Sequence, residues 1–250
     1  MILKIERYKK TTKGRYKIYL DDGRELLLYE DVILKFELLL KKELTDEELL
    51  VIEMANQECD VYQVALASIS SRFKSIYDTR LFLIKKEYPE EMIDEAITKL
   101  VKQGYLNDQS FAKSYINNQI ITTNKGPYKI KKELLEHRVA SDIIDTELRG
   151  FDIDTQLEKV NKVATRLFNS NRSRGGVILK KKIENDLLNL GYELNIVTKV
   201  IEKFDFSNNK DIANKEYEKL RKRLSRKYEG KELEYKIKEK LYQKGLYYEN

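Results

Sequence analysis

Tyr88, Val139, Tyr192 and Leu246 fall at intervals of 51, 53 and 54 residues. Met92, Ile143 and Ile196 each follow the first three by four residues, so the apolar register repeats with the interval. Matched hydrophobic positions at a near-constant spacing of this size are the signature of tandem helical repeats. Each repeat should contact mainly its neighbours, which gives an elongated, curved array.

The stretch from Pro89 to Ala112 shows how one unit hands over to the next. Pro89 starts a helix. Met92, Ile93, Ala96, Ile97 and Leu100 form its apolar stripe at helical spacing. Gly104 follows the last turn, where a left-handed residue ends a helix well. Asn107 or Asp108 can cap the next helix, which opens at Phe111. The same order returns after Phe111, with a break at Asn124, Lys125, Gly126 and Pro127. It returns again after Leu157, with a break at Arg174, Gly175 and Gly176, and once more after Ile212, with a break near Gly230.

Before the repeats the period is two. Tyr16, Ile18 and Leu20 alternate with Lys17 and Tyr19, and Leu26 and Leu28 with Leu27 and Tyr29, across an Asp22-Gly23 turn. With Ile2 to Tyr8 this predicts a sheet of three strands, or of two if the first frays. Ile33, Phe36 and Leu40 predict a short helix, and Thr45 with Glu48 is a capping box for another. Asp60 with Gln63 reads as a further helix start, and Ser75 with Asp78 as the next. The expected fold is mainly α, with tandem three-helix repeats after a small β-rich N-terminal domain. The expected boundaries are 1–59 for that domain and 60–107, 108–152, 153–207 and 208–250 for the repeats. By this count the last repeat stops where its third helix should begin.

Composition agrees with long helices and short loops: 36% of residues are charged, and there are 2 Pro and 10 Gly in 250 residues. The single cysteine, Cys59, excludes an intramolecular disulfide and a cysteine metal cluster, and fits a half-buried residue in a reducing compartment. The charged start and the lack of a long apolar run predict a cytoplasmic protein without a membrane span.

No catalytic constellation is legible, so no enzyme, metal or cofactor is expected. His137 is the only histidine, and nothing in the spacing joins it to a nucleophile, so a structural or surface role is expected. Asp152 and Asp154 are too few for a metal site, and Asp154 reads as a helix cap. Gly175 and Gly176 lack the phosphate-loop pattern. The 17 tyrosines could stack on bases, but closing small cores is the preferred reading.

The net charge of +6 favours a polyanionic partner or an acidic protein groove. Three clusters carry it: Lys129, Lys131 and Lys132; Arg172, Arg174 and Lys180, Lys181, Lys182; and Arg221, Lys222, Arg223, Arg226 and Lys227. Placed alike in successive repeats, they could form one positive stripe that contacts phosphates or acidic side chains. Solvation of outer helix faces is the competing reading.

The phrase Lys102-Gln103-Gly104-Tyr105-Leu106-Asn107-Asp108, continuing through Phe111-Ala112, carries a family resemblance. So does Lys125-Gly126-Pro127 ahead of Ile130-Lys131-Lys132-Glu133-Leu134. With the repeat period, the chain from about Asp60 onward resembles the RecX regulatory proteins, bacterial modulators of the RecA recombinase. The β-rich start with four units is similar to the longer Gram-positive forms. The resemblance implies a non-enzymatic monomer that binds the groove of the RecA–DNA filament. There it would restrain filament growth, ATP hydrolysis, strand exchange and co-protease activity in recombination and the SOS response. Weaker, electrostatic contact with single- and double-stranded DNA would accompany this. The last helix departs from the family pattern. A helical-repeat DNA-binding protein acting without RecA and a protein-interaction scaffold remain the alternatives.

Overall fold

The computed structural model describes residues 2–11, 14–171, 176–207 and 210–246. Contacts divide the chain into two compact units, Met1–Phe111 and Ala112–Asn250.

The first unit opens with strands β1 (Ile2–Lys10), β2 (Arg15–Leu20) and β3 (Glu25–Tyr29). Gly23 turns the β2–β3 hairpin at φ 86°, a conformation that favours glycine. The sheet has four strands, in the order β3-β2-β1-β4, rather than the three expected. The extra edge strand β4 (Glu43–Thr45) pairs antiparallel with the start of β1, Leu3 opposite Leu44. Three residues with one buried side chain show too little alternation to be read as a strand.

Helix α1 (Glu30–Lys35) ends sooner than the pattern suggested. Glu37 turns left-handed at φ 51°, which buries Leu38 and leaves Leu40 81% exposed. Helix α2 (Asp46–Ser71) begins at the predicted capping box, with the Glu48 N–H on Thr45 Oγ1 at 3.2 Å. It then runs 26 residues without a break, so the expected helix start at Asp60 falls inside it. One helix therefore serves two cores. Leu49 and Ile52 pack beneath the sheet with Ile18, Leu20 and Leu28. Val61 and Ala65 pack with Leu83, Ile93, Ile97 and Leu100 of α3 (Ile76–Ile84) and α4 (Glu90–Lys102).

Asp60 ties these parts together. Its carboxylate accepts from the Tyr29 hydroxyl at 2.5 Å, the Tyr88 hydroxyl at 2.5 Å and the Arg15 guanidinium at 3.1 Å. Burial pushes this carboxyl up. The two phenol hydrogen bonds and the Arg15 charge outweigh that and hold it below the ordinary carboxylate range. Gly104 ends α4 at φ 78°, as its position predicted. Asn107 caps α5 (Asp108–Thr122), its Oδ1 accepting the Ser110 N–H at 3.0 Å. Asp108 caps a different helix: its Oδ1 accepts the N–H of Ile76, at the start of α3, at 2.8 Å.

The second unit carries the rest of α5, then α6 (Pro127–Glu136), α7 (Ser141–Leu148), α8 (Ile153–Ser170), α9 (Gly176–Asn189), α10 (Leu194–Ile201), α11 (Lys210–Leu224) and α12 (Gly230–Gln243). Asp152, not Asp154, caps α8, its Oδ1 accepting the Thr155 N–H at 2.7 Å. The protein is thus mainly α, in successive three-helix groups after a small sheet. The expected third helix of the last repeat lies outside the described residues.

The repeat register has a structural cause. Left-handed residues follow α3, α6, α9 and α12 at Glu87, Arg138, Gly191 and Gly245. Each stands one place before Tyr88, Val139, Tyr192 and Leu246. After α6 the Val139 N–H reaches back to the Leu134 carbonyl at 3.2 Å, and after α12 the Leu246 N–H reaches the Leu241 carbonyl at 2.9 Å. This is the helix ending in which the residue beyond the left-handed one packs against the last turn. Val139, Tyr192 and Leu246 are accordingly buried.

Candidate partner-binding surface

Helix α6 has no side-chain cap at its N-terminus. Its first amides find another partner: the Gly126 N–H donates to the Leu190 carbonyl at 2.7 Å and the Tyr128 N–H to the Gly191 carbonyl at 3.0 Å. Unpaired donors at the start of α6 thus meet unpaired acceptors past the end of α9, and the helix dipoles meet head to tail. The approach requires glycine on both sides. A Cβ on Gly126 would lie 2.4 Å from the Gly191 oxygen, and one on Gly191 would lie 2.5 Å from the Lys129 nitrogen. Past the end of α12, Gly245 packs on Ile178 in the first turn of α9, where a Cβ would come within 2.9 Å. The helices α12, α9 and α6 are thereby joined end to start.

Six of the predicted basic residues sit on α6 and α9 of this series. Lys129 and Lys132 are exposed on α6, and Lys180 and Lys181 are exposed in the first half of α9. Lys131 and Lys182 are half-buried and ion-paired, Lys131 with Asp145 at 2.5 Å and Lys182 with Asp186 at 2.8 Å. Arg221 and Arg223 lie in the last turn of α11, and Arg226 in the turn leading to α12, all exposed. Arg172 and Arg174 lie outside the described residues. From Lys180 to Gly191 the rise of α9 is roughly 16 Å. The joint at Gly126 and Gly191 sets how the α6 and α9 lysines are spaced. In the sequence its only sign was a Lys-Gly-Pro break, which reads as a loop.

Other candidates have structural roles. His137 closes α6, its ring edge-on to Tyr115 with centroids 5.6 Å apart. Tyr115 donates to Glu133 at 2.9 Å, and Lys125 pairs with the same carboxylate at 2.7 Å. Cys59 lines a cavity of about 190 Å³ with Asp31, Lys35, Glu58, Tyr62 and Lys99, and burial pushes its thiol up, away from the reactive thiolate. Among the described residues, no group of three or more His, Cys, Asp or Glu could hold a metal ion, and no helix is long and apolar enough to cross a membrane.

Comparison with known proteins gives the family. The family model for the second three-helix domain of RecX matches residues 107–148, the span of α5 to α7. A regulatory protein RecX from Listeria welshimeri is 31% identical over 95% of this chain and 89% of its own length. One from Limosilactobacillus reuteri is 30% identical over 98% of this chain and 93% of its own. The chain belongs to the RecX family. A crystal structure of regulatory protein RecX superposes with a TM-score of 0.69 at 28% identity, over 80% of this chain and 99% of that one. RecX from Lactobacillus salivarius gives a TM-score of 0.57 at 26% identity, over 60% of this chain and 97% of its own. RecX proteins are regulatory proteins, not an enzyme family.

Proposed function

We propose that this RecX protein is a non-catalytic cytoplasmic regulator that binds the RecA–DNA filament as a monomer and restrains its growth. ATP hydrolysis, strand exchange and co-protease activity fall with it. The carrying observation is the set of exposed lysines, Lys129, Lys132, Lys180 and Lys181, on helices locked end to start by backbone hydrogen bonds. Such an arrangement presents positive charge at fixed separation to a periodic, acidic or phosphate-bearing surface. A ligand of this kind shifts a filament between states only by its difference in affinity for them. The helices are read as four units, 60–107, 108–152, 153–207 and 208–250, behind the N-terminal domain 1–59. The first unit shares α2 with that domain.

A paired assay tests the proposal. The protein should bind RecA–DNA filaments more tightly than bare single-stranded DNA at the same ionic strength and should lower RecA's ATP hydrolysis. Lys132→Glu with Lys180→Glu should weaken both effects. Equal affinity for bare DNA with unchanged ATP hydrolysis would identify a DNA-binding protein acting without RecA, and loss of neither binding nor inhibition in the variant would clear these lysines of the role.

A further inference from the structure

The sheet has an outward face, opposite the one that buries Ile18, Leu20 and Leu28. Leu26 and Leu28 point to the core, so Glu25, Leu27 and Tyr29 alternate to the other side. The register carries that face across the strands. Arg7 stands opposite Tyr19, which stands opposite Glu25; Lys9 stands opposite Lys17, which stands opposite Leu27.

Two features of this face work against stability. Lys9 and Lys17 are like charges directly opposite on antiparallel strands, an arrangement that costs stability. Leu27 is 42% exposed beside them. Lys17 is partly compensated by Glu25 at 2.8 Å, while Lys9 and Arg7 have no carboxylate within ion-pairing distance among the described residues. The Arg7 guanidinium instead lies over the Tyr19 ring, 4.2 Å from its centre. Where the second half of α2 passes the sheet, Lys17, Leu27 and Tyr29 line an open groove of about 570 Å³ with Gln63, Val64 and Ala67.

We infer that this face is a binding site for a single nucleic-acid strand, separate from the lysines on α6 and α9. Charge complementarity selects a polyanion, because Arg7 and Lys9, about 7 Å apart along β1, have no ion-pair partner among the described residues. The Arg7 guanidinium spread over Tyr19, with Leu27 exposed on the same face, selects a polyanion that also carries flat rings, because stacking of bases on guanidinium planes is tolerant of sequence. Phosphate, when bound, relieves the double-lysine pairing. This goes beyond the proposed filament contact and is measured without RecA, so either can fail alone.

The test is fluorescence anisotropy of the full chain with a labelled oligo(dT) strand and with an abasic strand of equal length. The variant is Lys9→Gln with Lys17→Gln. It should bind oligo(dT) about tenfold more weakly, with the slope of log affinity against log salt reduced by about 1.4 for two lost phosphate contacts. The wild-type chain should prefer oligo(dT) to the abasic strand. Unchanged oligo(dT) affinity in the variant, or equal affinity for the two strands, would each overturn the inference.

Discussion

Two aspartates titrate in opposite directions, and each departure has a visible cause. Asp60 gains two phenol hydrogen bonds and a guanidinium, and its folded-state pKa lies below its unfolded value. Its stabilisation is therefore present above the unfolded value of about 4 and is lost as pH falls through the folded value. Asp108 is raised by burial, only partly offset by the Ile76 N–H. Its contribution runs the other way: greatest below about 4, and lost as pH rises through the folded value. Urea midpoints across pH should show this. Asp60→Asn lowers the midpoint at pH 7, with the difference shrinking in acid. Asp108→Asn keeps an oxygen for the Ile76 N–H, removes the buried charge and raises the midpoint at pH 7. Neither role was legible in sequence. Both carboxylates stand at helix-start patterns, and the partners of Asp60 come from residues 15, 29 and 88.

At the scale of elements, helix ends organise the protein more than helix faces do. A left-handed residue after α6, α9 and α12 sets the apolar residue beyond it into the core, and after α3 it sets Tyr88 against the core's edge. At Glu87 a side chain stands where φ is 62°, and the Glu87→Gly variant should gain about 1 kcal/mol by relieving that conformation. At Gly126 the demand is for space. Gly126→Ala sets a methyl against backbone 2.4 Å away and should cost about 2 kcal/mol or more. Urea denaturation of both variants checks the signs. The apolar stripes, the caps at Thr45 and Ser75 and the glycine at Gly104 could be read in advance because each is a local preference. The continuity of α2 could not. Asp60 followed by Gln63 has the composition of a helix start, and only its partners on the sheet show that it is used inside a helix.

At the scale of the whole molecule, charge is unevenly placed. The chain carries +6 overall, yet between Glu30 and Glu58 nine acids face three lysines. The positive excess thus falls on the residues before Glu30 and on the repeats. Lys132 and Lys180 stand on two different helices, joined at Gly126 and Gly191. Single charge reversals at these two sites should therefore add in their effect on filament affinity to within about 0.5 kcal/mol. Gly126→Ala should weaken binding without any change in charge. Cosedimentation with filaments measures both. Additive reversals with an undisturbed Gly126→Ala variant would show that the lysines act without the joint.

The sequence by itself determined the repeat, its register and the class of fold, because apolar periodicity and left-handed helix ends are properties of short stretches of chain. It also marked out the basic clusters as candidates. The tertiary structure alone decided which members of each cluster are free. Lys131 and Lys182 are held by Asp145 and Asp186, while Lys132, Lys180 and Lys181 face solvent. It also decided that Gly126 is a joint rather than a loop, since Gly191 meets it from 65 residues further along the chain. A contact between distant segments is specified by close packing and by the pairing of buried backbone groups, and neither leaves a pattern in the local sequence.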